Sequence, residues 1–259
     1  MEDDVTERPL EGRVALITGS YRNLGSVTAE TLARYGASVI LNDLDKPELT
    51  SHGQALSERI RAYGVKATMI PADLSLSSEV RRMCEQGLGA FGRVDIIVNN
   101  AGPFNMDPYI ALDEATWDLI MDVNLKAVYL TAKHLAPQMK SNGWGRIVNM
   151  CAGSAFIRNH NVYTLAKAGV QIITESLALE LGPEITVNAV SPGQIHESLP
   201  DIHAFDPTFG ERYLERTPAK KLIHRSEVAE MIALFCMPSS GTITGVTIRL
   251  DGGAEIPRF

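Results

Sequence analysis

Cysteine is scarce in this 259-residue chain. Cys84, Cys151 and Cys236 are an odd number, with no C-x-x-C among them. A disulfide framework or a cysteine-ligated zinc site needs more, so reduced thiols in a cytoplasmic protein are the simplest reading. Histidine is also sparse, six in all. No H-x-x-x-H and no Cys/His pair has metal-ligand spacing, so no metal centre is expected. Long apolar runs are missing, and none approaches the ~20 residues of a membrane span. The opening Met1-Glu2-Asp3-Asp4-Val5-Thr6-Glu7 is acidic where a secretory leader has an apolar stretch. Basic stripes are missing as well. With 24 Lys and Arg against 31 Asp and Glu, the net charge is −7, which argues against a nucleic-acid or membrane partner. No internal repeat or low-complexity segment occurs.

What is present is an ample core. Hydrophobic residues make up 45% and charged residues 21%, the balance of a soluble globule. The length suits a single α/β domain over 1–259 better than two domains. After a polar lead-in over 1–12, apolar β-rich runs at 13–18, 38–42, 67–71, 94–99, 146–150, 186–190 and 246–250 alternate with helix-period stretches. The helical stretches are 24–35, 47–63, 77–91, 114–141 with an interruption around Asn124, 162–181 and 226–237. Buried, non-alternating strands between helices predict a doubly wound parallel sheet covered on both faces, three layers in all. Ligands of such sheets bind beyond the carboxyl ends of the strands. Residues 193–224 lack a clean period and read as a substrate lid.

Two features carry the chemistry. Tyr163 and Lys167 lie four apart on a predicted helix and so share a face. A nearby cation lowers the pKa of a phenol and equips it for proton transfer. Upstream, Thr18-Gly19-Ser20-Tyr21-Arg22-Asn23-Leu24-Gly25 joins the first strand to the first helix. There a glycine turn and a helix N-terminus can hold a pyrophosphate. Gly19, Tyr21, Arg22, Asn23 and Leu24 are its candidate contacts. Asn23 stands where a second glycine is expected, and Asn tolerates positive φ. Asp43, ending the second strand, can accept bonds from an adenosine ribose and repel a 2′-phosphate, which favours NAD. Arg22 favours NADP instead, since its guanidinium can pair with that phosphate.

With these residues assembled, the chain resembles the short-chain dehydrogenase/reductase family over about residues 10–253. Thr18-Gly19 through Gly25 is similar to the family's glycine loop, with Asn23 replacing the middle Gly. Asp73-Leu74 is similar to its adenine-contacting pair. Asn99-Asn100-Ala101-Gly102, Asn124, Tyr163 with Lys167, Ser191-Pro192-Gly193 and Asp251-Gly252-Gly253 match further landmarks in order. The resemblance implies a single Rossmann-fold domain and a homotetramer or homodimer. It implies a nicotinamide cofactor held by Asp73, Leu74, Asn100, Ala101, Gly102, Tyr163, Lys167, Pro192, Gly193 and Ile195 as well as the loop. It also implies a mechanism. Tyr163 exchanges a proton with the substrate oxygen, and Lys167 holds the nicotinamide ribose and lowers the Tyr163 pKa. Asn124 links Lys167 to solvent. The substrate would be a small alcohol or ketone.

The chain departs from the family at the catalytic serine. Counting forward from the fifth strand gives Ala152 and counting back from Tyr163 gives Met150, so the intervening loop is short. Ser154 is the only hydroxyl nearby, and it either takes the catalytic role or lines the pocket. Cys151 reads as a small buried filler. Beyond Pro192-Gly193, Glu197 stands where the family often has Thr, with Ser198 next to it. A carboxylate there would disfavour substrates with negative charge of their own. His160, His196, His203 and His224 read as polar residues around the pocket. The leading expectation is an NAD(H)-dependent oxidoreductase. Ala152 and Asn23 motivate the alternative of a nucleotide-binding scaffold that has lost efficient catalysis, and Arg22 that of an NADP(H) enzyme.

Overall fold

The computed structural model describes residues 8–157, 161–204 and 206–256, with the side chains of Ser154 and Ile157 left out. Seven strands form one parallel sheet in the order β3-β2-β1-β4-β5-β6-β7. They are β1 (Val14–Ile17), β2 (Ser38–Leu41), β3 (Ala67–Met69), β4 (Ile96–Asn99), β5 (Gly145–Met150), β6 (Ile185–Pro192) and β7 (Thr247–Leu250). The helices are α1 (Asn23–Arg34), α2 (Pro47–Arg61), α3 (Ser77–Phe91), α4 (Glu114–Met121), α5 (Ala127–Ser141), α6 (Ser154–Ile157), α7 (Val162–Leu181), α8 (Leu199–His203), α9 (Phe209–Arg216) and α10 (Arg225–Cys236).

The strands are apolar on both sides because both faces are covered. Ala15 and Ile17 of β1, Val39 and Leu41 of β2, and Ile96 and Val98 of β4 turn to a core shared with Leu32 of α1, Leu56 and Ile60 of α2, and Val228 and Ile232 of α10. The intervening Leu16, Ile40 and Ile97 turn the other way, onto Val80 and Met83 of α3, Leu135 and Met139 of α5, and Leu181 of α7. Each such Leu or Ile contributes ~1.5–3 kcal/mol of burial. Two opposed cores lock the register, since a one-residue slip would exchange every side chain between them.

Chain order reverses between β1 and β4, which opens a crevice above their carboxyl ends. Helix α3 ends as the sequence predicts, with Gly92 at φ 72, a left-handed stop that glycine adopts without strain. Between α4 and α5 the helix widens into one π turn over Asp122–Lys126, the interruption expected at Asn124. Residues 193–224 are more regular than their sequence suggests. They hold α8 and α9, but elements of five and eight residues are too short to display a helical period.

Candidate active site

Above β1, β2 and β4 runs a groove of about 460 Å³. Its floor is clipped together by Thr18 at the end of β1. Thr18 Oγ1 accepts from Asn100 N at 3.0 Å and Ala101 N at 3.1 Å. Asn100 Nδ2 in turn donates to the carbonyls of Thr18 and Gly19, at 2.9 and 3.0 Å. A Cβ at Gly25 would collide with Gly19 O and lie 2.7 Å from Asn100 Nδ2, so no side chain fits there. Asn23 has φ 54, as its tolerance of the left-handed region predicts. Helix α1 begins at Asn23, with no side-chain cap and no acid in its first turn. Its N–H groups and positive dipole end are therefore left for an anion.

The groove wall brings Gly19, Arg22, Asn23 and Leu24 together with Asp43, Asp73 and Leu74 and with Asn100, Ala101 and Gly102. Asp43 is oriented by two backbone donors, Tyr21 N at 3.3 Å and Leu44 N at 2.9 Å. Asp73 accepts from both the N and the Oγ of Ser75, at 2.9 and 2.7 Å. Tyr21 differs from its expected place. Its ring is 2% exposed and packs in the core beneath the groove. Burial pushes its phenol pKa upward, and the charges of Asp43 and Asp45 add to that. Only its main chain faces the loop, because the ring fills the space over Gly53 of α2.

At the far end of the groove, Asn124, Gly102 and Lys167 converge. The π turn aims Asn124 inward, where its Nδ2 donates to Pro103 O and Ile120 O, both at 3.0 Å. Its Oδ1 is buried without a partner. A Cβ at Gly102 would collide with that oxygen and stand 3.3 Å from Lys167 Nζ. Lys167 is buried, donates to Met150 O at 2.8 Å and has its Nζ 5.6 Å from the centre of the Tyr163 ring. Phe104 meets the same ring edge-to-face at 4.8 Å.

The electrostatics correct one expectation. Lys167 does not bring the Tyr163 pKa down here. Burial pushes it up, and the Cys151 thiol adds to the rise. Burial also lowers Lys167 to about 8, which weakens it as the cation meant to stabilise a phenolate.

Other predicted residues fall elsewhere. Pro192 ends β6, Gly193 and Ile195 follow it, and all three lie outside the groove wall. Pro192 O accepts from Gly153 N at 3.3 Å, Gly193 N donates to Leu250 O at 2.9 Å, and Ile195 bridges Ile223. Glu197 does not reach the pocket either. It sits 3.3 Å from His224 Nδ1 and accepts from Arg225 N, tying the lid segment to the start of α10. Ser198 Oγ is likewise taken up by Arg225. His196 packs against His224 with ring centres 4.9 Å apart. The side chain of Ser154 and all of His160 lie outside the described residues. Cys151 is the buried filler expected of it, with burial raising its pKa above the ordinary thiol range.

A buried polar chain escaped the sequence reading. Thr131 Oγ1 donates to Asn99 Oδ1 at 2.9 Å, Asn99 Nδ2 to Asn149 Oδ1 at 2.8 Å, and Asn149 Nδ2 to Thr174 Oγ1 at 3.0 Å. It ties α5, β4, β5 and α7 beneath the site. Its signal was present: Asn99 and Asn149 interrupt strands that are otherwise apolar, and buried amides demand partners.

Fold and site together define a doubly wound nucleotide-binding protein with a tyrosine–lysine pair at the end of its crevice. Residues 19–255 match a family model described as enoyl-(acyl carrier protein) reductase. Among curated relatives, a (2S)-((R)-hydroxy(phenyl)methyl)succinyl-CoA dehydrogenase subunit of Thauera aromatica is 37% identical over 251 residues, covering 95% of this chain and 98% of the relative. A 3-oxoacyl-(acyl-carrier-protein) reductase of Aquifex aeolicus is 32% identical over 251 residues, covering 95% and 99%. A gluconate 5-dehydrogenase from Burkholderia cenocepacia, solved in complex with NADP and tartrate, superposes with a TM-score of 0.88 at 28% identity, covering 98% of this chain and 99% of that one. The chain belongs to the short-chain dehydrogenase/reductase family, and it is an oxidoreductase of that family. Among the described residues no helix is long and apolar enough to cross a membrane.

Proposed function

We propose that this chain is an NAD(H)-dependent oxidoreductase that interconverts a secondary alcohol and a ketone in the cytoplasm. The observation that carries the reading is the meeting of Asn124, Lys167 and Tyr163 at the end of a groove whose other end is an uncapped helix N-terminus. The residues present fit a nicotinamide dinucleotide. The missing Cβ atoms of Gly25 and Gly102 leave room for a close backbone approach, and the buried Asn124 Oδ1 lacks a donor. The first turn of α1 would take the pyrophosphate, Asp43 the adenosine ribose, Asp73 and Leu74 the adenine, and Lys167 the nicotinamide ribose. When bound, the nicotinamide supplies or accepts the hydride.

Tyr163 gives a proton to the substrate oxygen in reduction and takes it back in oxidation. Lys167 is held in place by Met150 O and presents its remaining protons toward Gly102. Asn124 and the π turn fix the entrance to that pocket. Residues 193–224 cover the carboxyl ends of β6 and β7 as a substrate lid. The test is a panel of alcohols and ketones followed by absorbance at 340 nm. Turnover that survives Tyr163→Phe would remove the acid/base assignment.

Asp43 supports NAD(H), because its carboxylate is fixed by Tyr21 N and Leu44 N where a 2′-phosphate would have to sit. A second reading, NADP(H), is favoured by Arg22 on the same wall and by the NADP held in the structurally similar gluconate 5-dehydrogenase. Fluorescence titration with NADH and NADPH decides between them, and tighter NADPH binding overturns the Asp43 argument.

We also propose a homotetramer or homodimer. Leu165, Ile172 and Leu179 recur every seven residues along α7 and are 45%, 67% and 88% exposed. An apolar stripe of that kind on a long helix is the usual mark of an interface.

A further inference from the structure

On the segment that joins β4 to α4 stands an aromatic ring that the chemistry above does not use. Phe104 is 62% exposed, yet its ring meets Tyr163 edge-to-face, with centres 4.8 Å apart and planes at 78°. The groove fixes its position. Pro103, one residue earlier, belongs to the groove wall, and its carbonyl accepts from Asn124 Nδ2 at 3.0 Å. Gly102 abuts Asn124 Oδ1 and Lys167 Nζ. The chain therefore leaves the groove wall at Pro103 and sets the next side chain directly on the tyrosine of α7. Aromatic rings are stabilised chiefly by burial. Here one contact is made and most of the ring is left in water.

The Tyr163 hydroxyl is bonded to the ring that Phe104 touches. A ketone hydrogen-bonded to that hydroxyl has its carbonyl substituents within one side chain's reach of Phe104. The ring offers such a substituent an apolar surface and no hydrogen bond. The polar residues expected around the pocket are drawn away from it. Glu197 Oε2 and Ser198 Oγ are taken up by Arg225, and His196 packs on His224. Around Tyr163 the chain packs apolar side chains instead. Ile120, Val162 and Ala166 are buried there, with Trp117, Met121 and Leu125 against them. A hydroxyl-rich substituent would give up water there without gaining partners. An aryl substituent would bury area against Phe104 and add a ring contact.

We propose that Phe104 is a substrate-selecting residue and that the ketone it favours carries an aryl group on the carbonyl carbon. The inference rests on the oxidoreductase reading and narrows its substrate class. The occupant of the open ring is the substrate, because the ring lies on the tyrosine that must stay accessible to it. No atom is transferred at Phe104. In reduction the carbonyl carbon gains a hydride from the nicotinamide and the carbonyl oxygen gains a proton from Tyr163. An aryl ketone thereby becomes an aryl secondary alcohol, the reduced cofactor is oxidised, and Tyr163 recovers its proton from solvent.

The test uses the full chain with NADH or NADPH, whichever binds more tightly, and compares acetophenone with butanone. The native chain should prefer acetophenone. The ratio of kcat/KM, acetophenone over butanone, should fall about tenfold in Phe104→Ala, through KM more than kcat. Phe104→Leu keeps apolar bulk without a ring, so it should retain cyclohexyl methyl ketone better than acetophenone. Ile110, on the same segment and 100% exposed, supplies the control, and Ile110→Ala should keep the native ratio. Equal native values for the two ketones overturn the proposal. So does a loss in Phe104→Ala shared equally by both, which would mark support of Tyr163 rather than selection. A drop in light-scattering mass in Phe104→Ala would assign the ring to a contact between copies and overturns it too. Binding supplies a readout independent of turnover. With the oxidised cofactor bound, acetophenone cannot be reduced, and its affinity by saturation-transfer NMR should weaken about tenfold in Phe104→Ala. Unchanged affinity contradicts the proposal. A native chain that binds neither NADH nor NADPH overturns the oxidoreductase reading, whereas cofactor binding without a preference for acetophenone overturns the role of Phe104 alone.

Discussion

Tyr163 carries the largest single consequence in the molecule. Its hydroxyl is the proton carrier in the proposed chemistry, and removing a positioned acid/base typically costs ~10²–10⁴ in rate. Tyr163→Phe should lose turnover on that scale while NADH binding is retained, as read by stopped assays at 340 nm alongside a fluorescence titration. Glu255, whose carboxyl is packed into the space left by Gly153, makes a second residue-level prediction with a definite sign. Its folded pKa is raised to about 7, so the folded state holds a proton that the unfolded chain releases at lower pH. The stability it confers is complete below the ordinary carboxyl range and is lost as pH rises through about 7. Glu255→Gln should therefore gain in Tm relative to the native chain at pH 8 compared with pH 5. A difference that does not change with pH would contradict this. At this scale the sequence was readable wherever a residue acts through its own backbone or near neighbours. Asn23 at positive φ and Asp43 at the strand end are of that kind. The burial of the Glu255 carboxyl was not readable, because it comes from contact with a glycine 102 positions away.

Elements repeat the pattern with one addition. The bounds of α3 and α7 coincide with the helical stretches expected at 77–91 and 162–181. The π turn at Asp122–Lys126 falls where Asn124 interrupts the period. The short helices α8 and α9 were hidden, since one or two turns leave no periodic trace. The polar chain from Thr131 through Asn99 and Asn149 to Thr174 was also missed, because it is made by strand register: Asn99 stands opposite Asn149 in the β4–β5 pairing. Asn149→Ala should cost ~1–3 kcal/mol by denaturant unfolding, because it strands the buried Asn99 amide. A cost below the measurement error would show that the chain is not structurally coupled. Gly102→Ala should weaken nucleotide binding, because its methyl would occupy space claimed by Asn124 Oδ1 and crowd Lys167. Unchanged NADH affinity would show that the pocket relaxes around it.

At the level of the whole molecule, alternation of β and α segments was enough to foresee a parallel sheet with two covered faces and a ligand crevice at the strand reversal. It was not enough to say which helix faces outward onto a partner. The proposed interface rests on the exposed Leu165, Ile172 and Leu179 of α7, and Ile172→Glu with Leu179→Glu should shift light-scattering mass toward a monomer. A native chain that is already monomeric contradicts the oligomer proposal.

The measurement that bears most directly on the central claim is a crystal structure of this chain grown with NADH. The account predicts the pyrophosphate on the first turn of α1, the nicotinamide ribose on Lys167, and the nicotinamide ring beside the Tyr163 hydroxyl with room for a carbonyl carbon between them. A dinucleotide bound elsewhere, or a ring lying far from that phenol, would contradict it.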